Sequence, residues 1–326
     1  MDDKEIRERA AAARMAVIGD FCLDIYWHAD MRRSELSRET PHFPLPIVRE
    51  RMSAGGAGTV AANLLALQPA RVQCLGVFGD DWRGREYRLL LEAMGADASA
   101  IVTEAGRFTS TYIKPLKSGL SQVVYEDPRL DFVNSGPIAP ETEARLMEAL
   151  EHLECDVLCV CDQLPDGCLT PALRRKIMAL GEAGLTVIVD SRDHAGEYRH
   201  VIVKPNELEA ARALNLLITS ELNKIGGMAL ALSQRSGRPA LVTVGERGCL
   251  LAEQGAVRHI PAVAVTGEID ICGAGDTFMS ALASALAAGA PLAEAASLGC
   301  RAASVVVKKL QMTGTATWDE IPAIGK

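Results

Sequence analysis

The chain has 326 residues, 48% of them apolar and 23% charged, which suits one large α/β core with a small appendage. Its formal net charge of −8 excludes the basic footprint of a nucleic-acid binder. No apolar run reaches the 18 residues that a membrane-spanning helix needs.

The opening MDDKEIRERAAAAR is charged and helix-like and lacks the apolar centre of a signal peptide, so a cytoplasmic protein is expected. MAVIGD (15–20) reads as a strand. GDFCLD (19–24) places Asp20 and Asp24 at its carboxyl end, either as acceptors for sugar hydroxyls or as turn and cap residues. Residues 21–50 are polar, carry Pro41, Pro44 and Pro46, and end in the β-like PLPIVRE. In SAGGAGTVAANLLAL (53–67), Gly55, Gly56 and Gly58 lead into a helix over 58–67. The glycines serve either a tight turn or a close backbone approach to a polar substrate, to which Thr59 and Asn63 would add side-chain hydrogen bonds. The stretch fits neither Gly-rich phosphate-loop pattern. VQCLGVFG (72–79) reads as a strand and DWRGREYRLLLEAMG (81–95) as a helix closed by Gly95. Residues 107–134 are rich in β-branched and aromatic residues between Gly and Pro turns. Together with 21–50 they predict short strands outside the main sheet, a small β lid on a single domain spanning 1–326.

CDVLCVC (155–161), LTVIVD (185–190), VIVKPN (201–206) and ALVTVG (240–245) continue the series of apolar strands, with TPALRRKIMALGEAG (170–184) a helix and 140–154 an acidic one. Strands apolar throughout and alternating with helices predict a mostly parallel sheet covered on both faces, with ligands at the strands' carboxyl ends. In VKPNELEA (203–210), Lys204, Asn206 and Glu209 leave a strand and enter a helix. They read either as a helix cap or as contacts to a nucleotide's phosphates and Mg²⁺, Glu209 through water. In TVGERGCLL (243–251), Thr243, Gly245 and Gly248 read either as a hairpin turn or, for Thr243, as a phosphate neighbour. The nine cysteines show no C-x-x-C and no zinc spacing, and read as buried free thiols.

The most informative stretch is IDICGAGDTFMSALASALAAG (269–289). Phe278, Leu282 and Leu286 recur every four residues, which predicts a helix that Gly289 and Pro291 stop. LAEAASLGCRAASVVVKKL (292–310) makes another. Gly273, Ala274 and Gly275 stand before Asp276 at the helix start. Small residues let backbone N–H groups meet an anion, and a carboxylate beside an anion hole makes sense when it handles a proton. Phosphoryl transfer to an alcohol needs both, a base for the hydroxyl and donors for the transferring group.

Taken together these residues resemble the ribokinase-like (PfkB) sugar kinase family, over nearly the whole chain and in the family's order. The order is a first strand with Asp, a Gly-Gly helix, lid strands, N-x-x-E, T-x-G-x-x-G, then D-x-x-G-A-G-D-T. Within that family, GDFCLDIYW, SELSRETPHFPLPIV, PRLDF and VVVKKL look most like the heptose-phosphate kinases of lipopolysaccharide-precursor synthesis. The resemblance implies a three-layer α/β/α fold with a β lid, ATP and Mg²⁺ as cofactors, a sugar or sugar phosphate as substrate, and a homodimer through the lid. It implies Asp276 as catalytic base and Gly273, Ala274 and Gly275 as anion hole. Asp24, Gly55 and Gly56 match sugar contacts, and Asn206 and Glu209 the Mg-nucleotide site. Thr243, Gly245 and Gly248 match the nucleotide's phosphate and ribose side, and Asp270 the neighbourhood of a monovalent cation, K⁺, in some relatives. The chain departs from the family at Thr59, where Asn is usual, at Cys272, where Thr is usual, and at DSRD (190–193), where the heptose kinases have Asp-Pro-Lys. A sugar- or nucleotide-binding sensor and a nucleoside kinase of the same fold are the alternative readings.

Overall fold

Strands that are apolar along their whole length have no face to give to water, and here they form the middle of a large sheet. The computed structural model describes residues 1–121, 123–310 and 313–322. Gln122, in the expected lid, lies outside the described residues. In chain order the strands are β1 (Arg14–Gly19), β2 (Phe21–Asp30), β3 (Ile47–Gly56), β4 (Arg71–Gly79), β5 (Asp97–Glu104), β6 (Thr111–Ser118) and β7 (Tyr125–Glu126). They continue with β8 (Leu130–Phe132), β9 (Val157–Asp162), β10 (Thr186–Ser191), β11 (Ile202–Val203), β12 (Ala240–Thr243), β13 (Cys249–Glu253) and β14 (Ala256–Ile260). The helices are α1 (Asp3–Ala10), α2 (Ala57–Ala66), α3 (Trp82–Ala93), α4 (Pro140–Glu151), α5 (Pro171–Glu182), α6 (Glu207–Ala213), α7 (Leu222–Ser236), α8 (Ala274–Ala287) and α9 (Leu292–Val306).

The large sheet runs β14–β13–β12–β11–β10–β9–β1–β4–β5. It is parallel from β12 to β5 and antiparallel at β12–β13–β14. Alternate side chains of one strand serve two cores. Met15 and Val17 of β1 join the cluster under α1, α2, α8 and α9, while Ala16 and Ile18 join the one under α4, α5, α6 and α7. This is the three-layer arrangement expected from the apolar runs. Each layer's burial is hydrophobic stabilisation on the order of 1.5–3 kcal/mol per large side chain.

The small sheet runs β3–β2–β6–β7, with β8 also on β6. Its register puts Asp24 between Ser53 and Tyr112, and Tyr26 between Arg51 and Lys114, so these side chains share one face. The opposite face carries Leu23, Ile25 and Ile113 into the first core. In the first expected lid segment, residues 31–46 contain only one short 3₁₀ turn.

Three features differ from the sequence reading. Gly55 and Gly56 end β3 as well as preceding α2. The edge strand β5, DASAIVTE, and the helix α7, with Gly226 and Gly227 inside it, carried no clear periodic signal. Cys272 is exposed, unlike the other thiols, and all nine cysteines are free. No helix among the described residues is long and apolar enough to cross a membrane.

Candidate active site

The first turn of α8 opens onto the carboxyl ends of the strands. Residues Thr277–Ala285 are buried between the sheet, α2 and α9, so packing along the whole helix fixes where its start lies. Ser280 Oγ donates to Val60 O at 3.0 Å, tying α8 to α2. Gly273 caps the helix with φ +78°, a left-handed conformation that suits glycine, and a Cβ there would come within 2.9 Å of Thr313 Cγ2. The N–H of Ala274 donates to Ile271 O at 3.2 Å. The expected anion hole therefore narrows to the first-turn amides of Gly275 and Asp276, which have no acceptor among the described residues. A Cβ at Gly275 would lie 3.7 Å from Lys204 Nζ, so backbone donors and an ammonium converge on one spot.

The Asp276 carboxylate makes no hydrogen bond or ion pair with any described residue. It keeps partial access to solvent but is packed round by protein. Burial, then Asp190, Asp24 and Glu209, push its carboxyl up to about 7, against the pull of Lys204. A carboxylate with that value and no partner is set to take a proton near neutrality.

One side of this spot is built by β10, β11 and α6. Lys204, 2% exposed, pairs with Asp190 at 2.8 Å. Burial works against its charge, but Asp190, with Glu209 and Asp276, outweighs burial and holds the ammonium above its ordinary value. Asn206 and Glu209 form a capping box: Asn206 Oδ1 accepts from the N–H groups of Leu208 and Glu209, both at 2.9 Å, and Glu209 Oε2 accepts from Asn206 N–H at 2.8 Å. The cap reading is thus realised, and it leaves Glu209 Oε1 and Asn206 Nδ2 open to a ligand. Burial and then Asp190 raise the Glu209 carboxyl. Thr243 lies beside them, its N–H on Pro205 O at 3.0 Å. Gly245 has φ +58° and open space where a Cβ would stand, whereas a Cβ at Gly248 would collide with Ile260 O. Gly248 therefore serves the turn, and Gly245 remains free for close approach.

The other side is the polar face of the small sheet. Asp24 is 8% exposed, and a Cβ at Gly55 would come 2.8 Å from its Oδ2, so the glycine keeps that carboxylate's place open. Burial raises the Asp24 carboxyl, while Lys114, Arg129 and Arg51 oppose the rise. Arg51 and Lys114 lie over Tyr26, at 4.2 and 4.8 Å from the ring centre, and Arg129 over Tyr112 at 4.2 Å. Gly56 takes φ +56° where a Cβ would strike Asp20 O.

Two expected substrate contacts are engaged elsewhere. Thr59 Oγ1 donates to Ala54 O at 3.1 Å and is buried. The Asn63 carboxamide donates to Thr59 O and Gly314 O and accepts from Thr277 Oγ1 and Ala316 N–H, so all four of its positions are filled. Both hold α2 against α8 and the 313–317 segment. Asp20, the other reading's sugar acceptor, is a latch: its carboxylate accepts from the N–H groups of Gln163, Leu164 and Cys168 at 2.8–2.9 Å. Asp270 caps its own loop through Cys272 N–H at 3.0 Å and joins α9 through Val307 O at 2.8 Å. Sequence reasoning assigned no role to Asp190. The DSRD departure was its one signal, and only the pairing of β10 with β11 shows why it matters.

Among the described residues, no three or more His, Cys, Asp or Glu converge into a metal cage. The open carboxylate oxygen of Glu209 suits a Mg²⁺ ion held through water, which would offset phosphate charge there.

A mostly parallel large sheet with helices on both faces and a second, small sheet is the ribokinase-like fold. The chain belongs to the pfkB family of carbohydrate kinases, whose family model matches residues 15–319. It is 34% identical over 335 residues to bifunctional protein HldE of Citrifermentans bemidjiense, covering 100% of this chain and 66% of that protein. It is 35% identical to bifunctional protein HldE of Caulobacter sp. strain K31, covering 98% of this chain and 65% of that protein. The chain thus spans just under two thirds of these relatives' length. In fold it is similar to Escherichia coli phosphofructokinase-2, with TM-score 0.74 at 20% identity over 94% of this chain and 97% of that one. It is also similar to Cryptococcus neoformans ribokinase in complex with ADP, with TM-score 0.65 at 19% identity over 96% and 98% of the two chains. Family membership implies ATP as donor and Mg²⁺ as its companion.

Proposed function

We propose that this chain transfers the γ-phosphoryl group of ATP to a hydroxyl of a sugar phosphate, with Asp276 as general base. The observation that carries the reading is the unpartnered Asp276 carboxylate beside the free amides of α8. In the step, Asp276 takes the hydroxyl proton as that oxygen bonds to the γ-phosphorus. The bond from γ-phosphorus to the β–γ bridging oxygen breaks, and ADP leaves with the electron pair. The amides of Gly275 and Asp276 and the Lys204 ammonium meet the charge on the transferring group. Lys204 is held for this by Asp190. Asn206, Glu209, Thr243 and Gly245 would hold the nucleotide's phosphates and their Mg²⁺, which when bound neutralises phosphate charge. Asp24, over Gly55, accepts from the sugar's hydroxyls.

The acceptor's own phosphate is supported by Lys114, Arg51 and Arg129 around Asp24, more positive charge than a neutral sugar needs. The resemblance to heptose-phosphate kinases puts a heptose phosphate first among such acceptors. Asp270 against the end of α9 is where a monovalent cation such as K⁺ would sit. Exposed Val123, Val124, Tyr125, Leu130 and Val133 on and beside the small sheet support a homodimer through the lid. ADP release across a panel of sugars, sugar phosphates and nucleosides tests the reading. Turnover is expected with phosphorylated sugars. Tight binding without ADP release would return the sensor reading, and preference for adenosine or cytidine the nucleoside kinase.

A further inference from the structure

Asp162 ends β9 and is 3% exposed, yet it takes no part in the chemistry above. Its Oδ2 accepts from Ser191 Oγ at 2.8 Å and Tyr198 OH at 3.1 Å, and lies 3.2 Å from His194 Nδ1 and 3.6 Å from Arg174 Nη1. Ser191, His194 and Tyr198 all belong to the segment that leaves β10, so one buried carboxylate pins residues 191–198. Arg192 sits in that segment with its backbone fixed at both ends. Its N–H donates to Asp162 O at 3.0 Å, and its carbonyl accepts from Arg212 Nη1 at 3.2 Å. Asp193, the nearest acid in sequence, is paired with Arg212 at 2.7 Å.

The Arg192 guanidinium has no hydrogen bond or ion pair among the described residues, and the residue is exposed. Neighbouring cations are engaged: Lys204 on Asp190, Arg129 on Asp131 at 2.6 Å, Lys114 on Tyr26 OH at 3.2 Å. The charge of Arg192 reaches Glu209 on the nucleotide side and Cys22 and Tyr112 on the lid side. Arg192 directly follows Ser191, the last residue of β10, at the strand ends that carry Asp190 and its Lys204 partner into the cleft. That cleft holds Asp24, Asp190, Glu209 and Asp276. A phosphate entering it adds to that negative charge, and Arg192 brings a further guanidinium, paired with no described acid, whose fork fits phosphate oxygens.

We propose that Arg192 is a phosphate-contacting residue of the cleft, positioned by the buried Asp162 hub. This rests on the kinase reading. The phosphate belongs to the donor nucleotide or to the acceptor, and the test separates them. The full chain and its Arg192→Gln and Arg192→Lys variants are titrated calorimetrically with Mg²⁺ and an ATP analogue bearing a β–γ imido bridge. Inorganic phosphate is then titrated into the analogue-saturated protein. If Arg192 serves the donor, Arg192→Gln weakens the analogue about tenfold or more. If it serves the acceptor, the analogue binds as before and inorganic phosphate binding is lost. In either case Arg192→Lys recovers part of the loss, which a packing role would not do. Asp162→Asn should weaken the same probe without removing a phosphate contact. If Arg192→Gln binds both probes as the parent chain does, the inference is overturned and the kinase reading stands. If the parent chain binds neither probe, both fall.

Discussion

The two sheets of this molecule solve opposite problems. The large sheet is covered on both faces, and every side chain on α8 from Thr277 to Ala285 is buried, so the start of that helix is fixed by its whole length. The small sheet buries one face and leaves the other polar, with Asp24, Tyr26, Arg51, Lys114 and Tyr112 on three adjacent strands. The first is built to hold one geometry. The second offers a surface whose residues change without disturbing a core. On the proposed reading, reaction chemistry belongs to the first sheet and substrate choice to the second.

The sharpest break of that division is Asp276→Asn. It removes the proton acceptor and keeps size and shape, so kcat should fall by about a hundredfold to ten-thousandfold with the nucleotide's binding unchanged. Normal turnover in steady-state assays would put the base elsewhere. The pH profile is next. With the Asp276 carboxyl at about 7, the protonated form dominates below that value and cannot accept a proton. Below pH 7, kcat should fall about tenfold per pH unit; a profile flat from pH 5 to 8 would contradict the assignment.

The lid side should respond differently. Asp24→Asn weakens acceptor contacts, so KM for the acceptor should rise about tenfold while kcat changes less. An equal loss in kcat alone would mean that Asp24 acts in the chemical step. The smallest effect is on stability. The fold raises the Asp276 carboxyl, so it binds a proton that the unfolded chain has released, and stability drains away as pH rises from the ordinary carboxyl range through about 7. Asparagine carries no such charge. The Tm of Asp276→Asn should therefore exceed the parent's at pH 8 by a few degrees, the gap closing toward pH 5, as calorimetry would show.

The layered fold was legible because β1, β9 and β10 are apolar on both faces, which only a covered parallel sheet explains. Asp81 and Thr170 marked their helix starts correctly, each accepting from a first-turn N–H. The β5 strand hid because it forms the sheet's edge, where burial alternates irregularly. At the site, G-A-G-D was readable because its signal is local. Lys204 with Asp190 was not, since 14 residues separate partners that only strand pairing joins. Asn63 misled for the opposite reason: a polar residue near a Gly-rich turn suits a ligand, and only the three-dimensional arrangement shows its four hydrogen bonds already made.

β1 ends at Gly19 and β2 begins at Phe21, so the chain crosses from one sheet to the other through Asp20 alone. Asp20 is clamped by three N–H groups, which makes it a fulcrum. At about 3.3 Å per residue, Asp24 lies on a lever arm of roughly 13 Å and Asp30, at the strand's far end, on one of roughly 33 Å. A rocking of the small sheet about that point would sweep its tip some two and a half times as far as Asp24, so the far end of the strand moves most and Asp24 less than half as much.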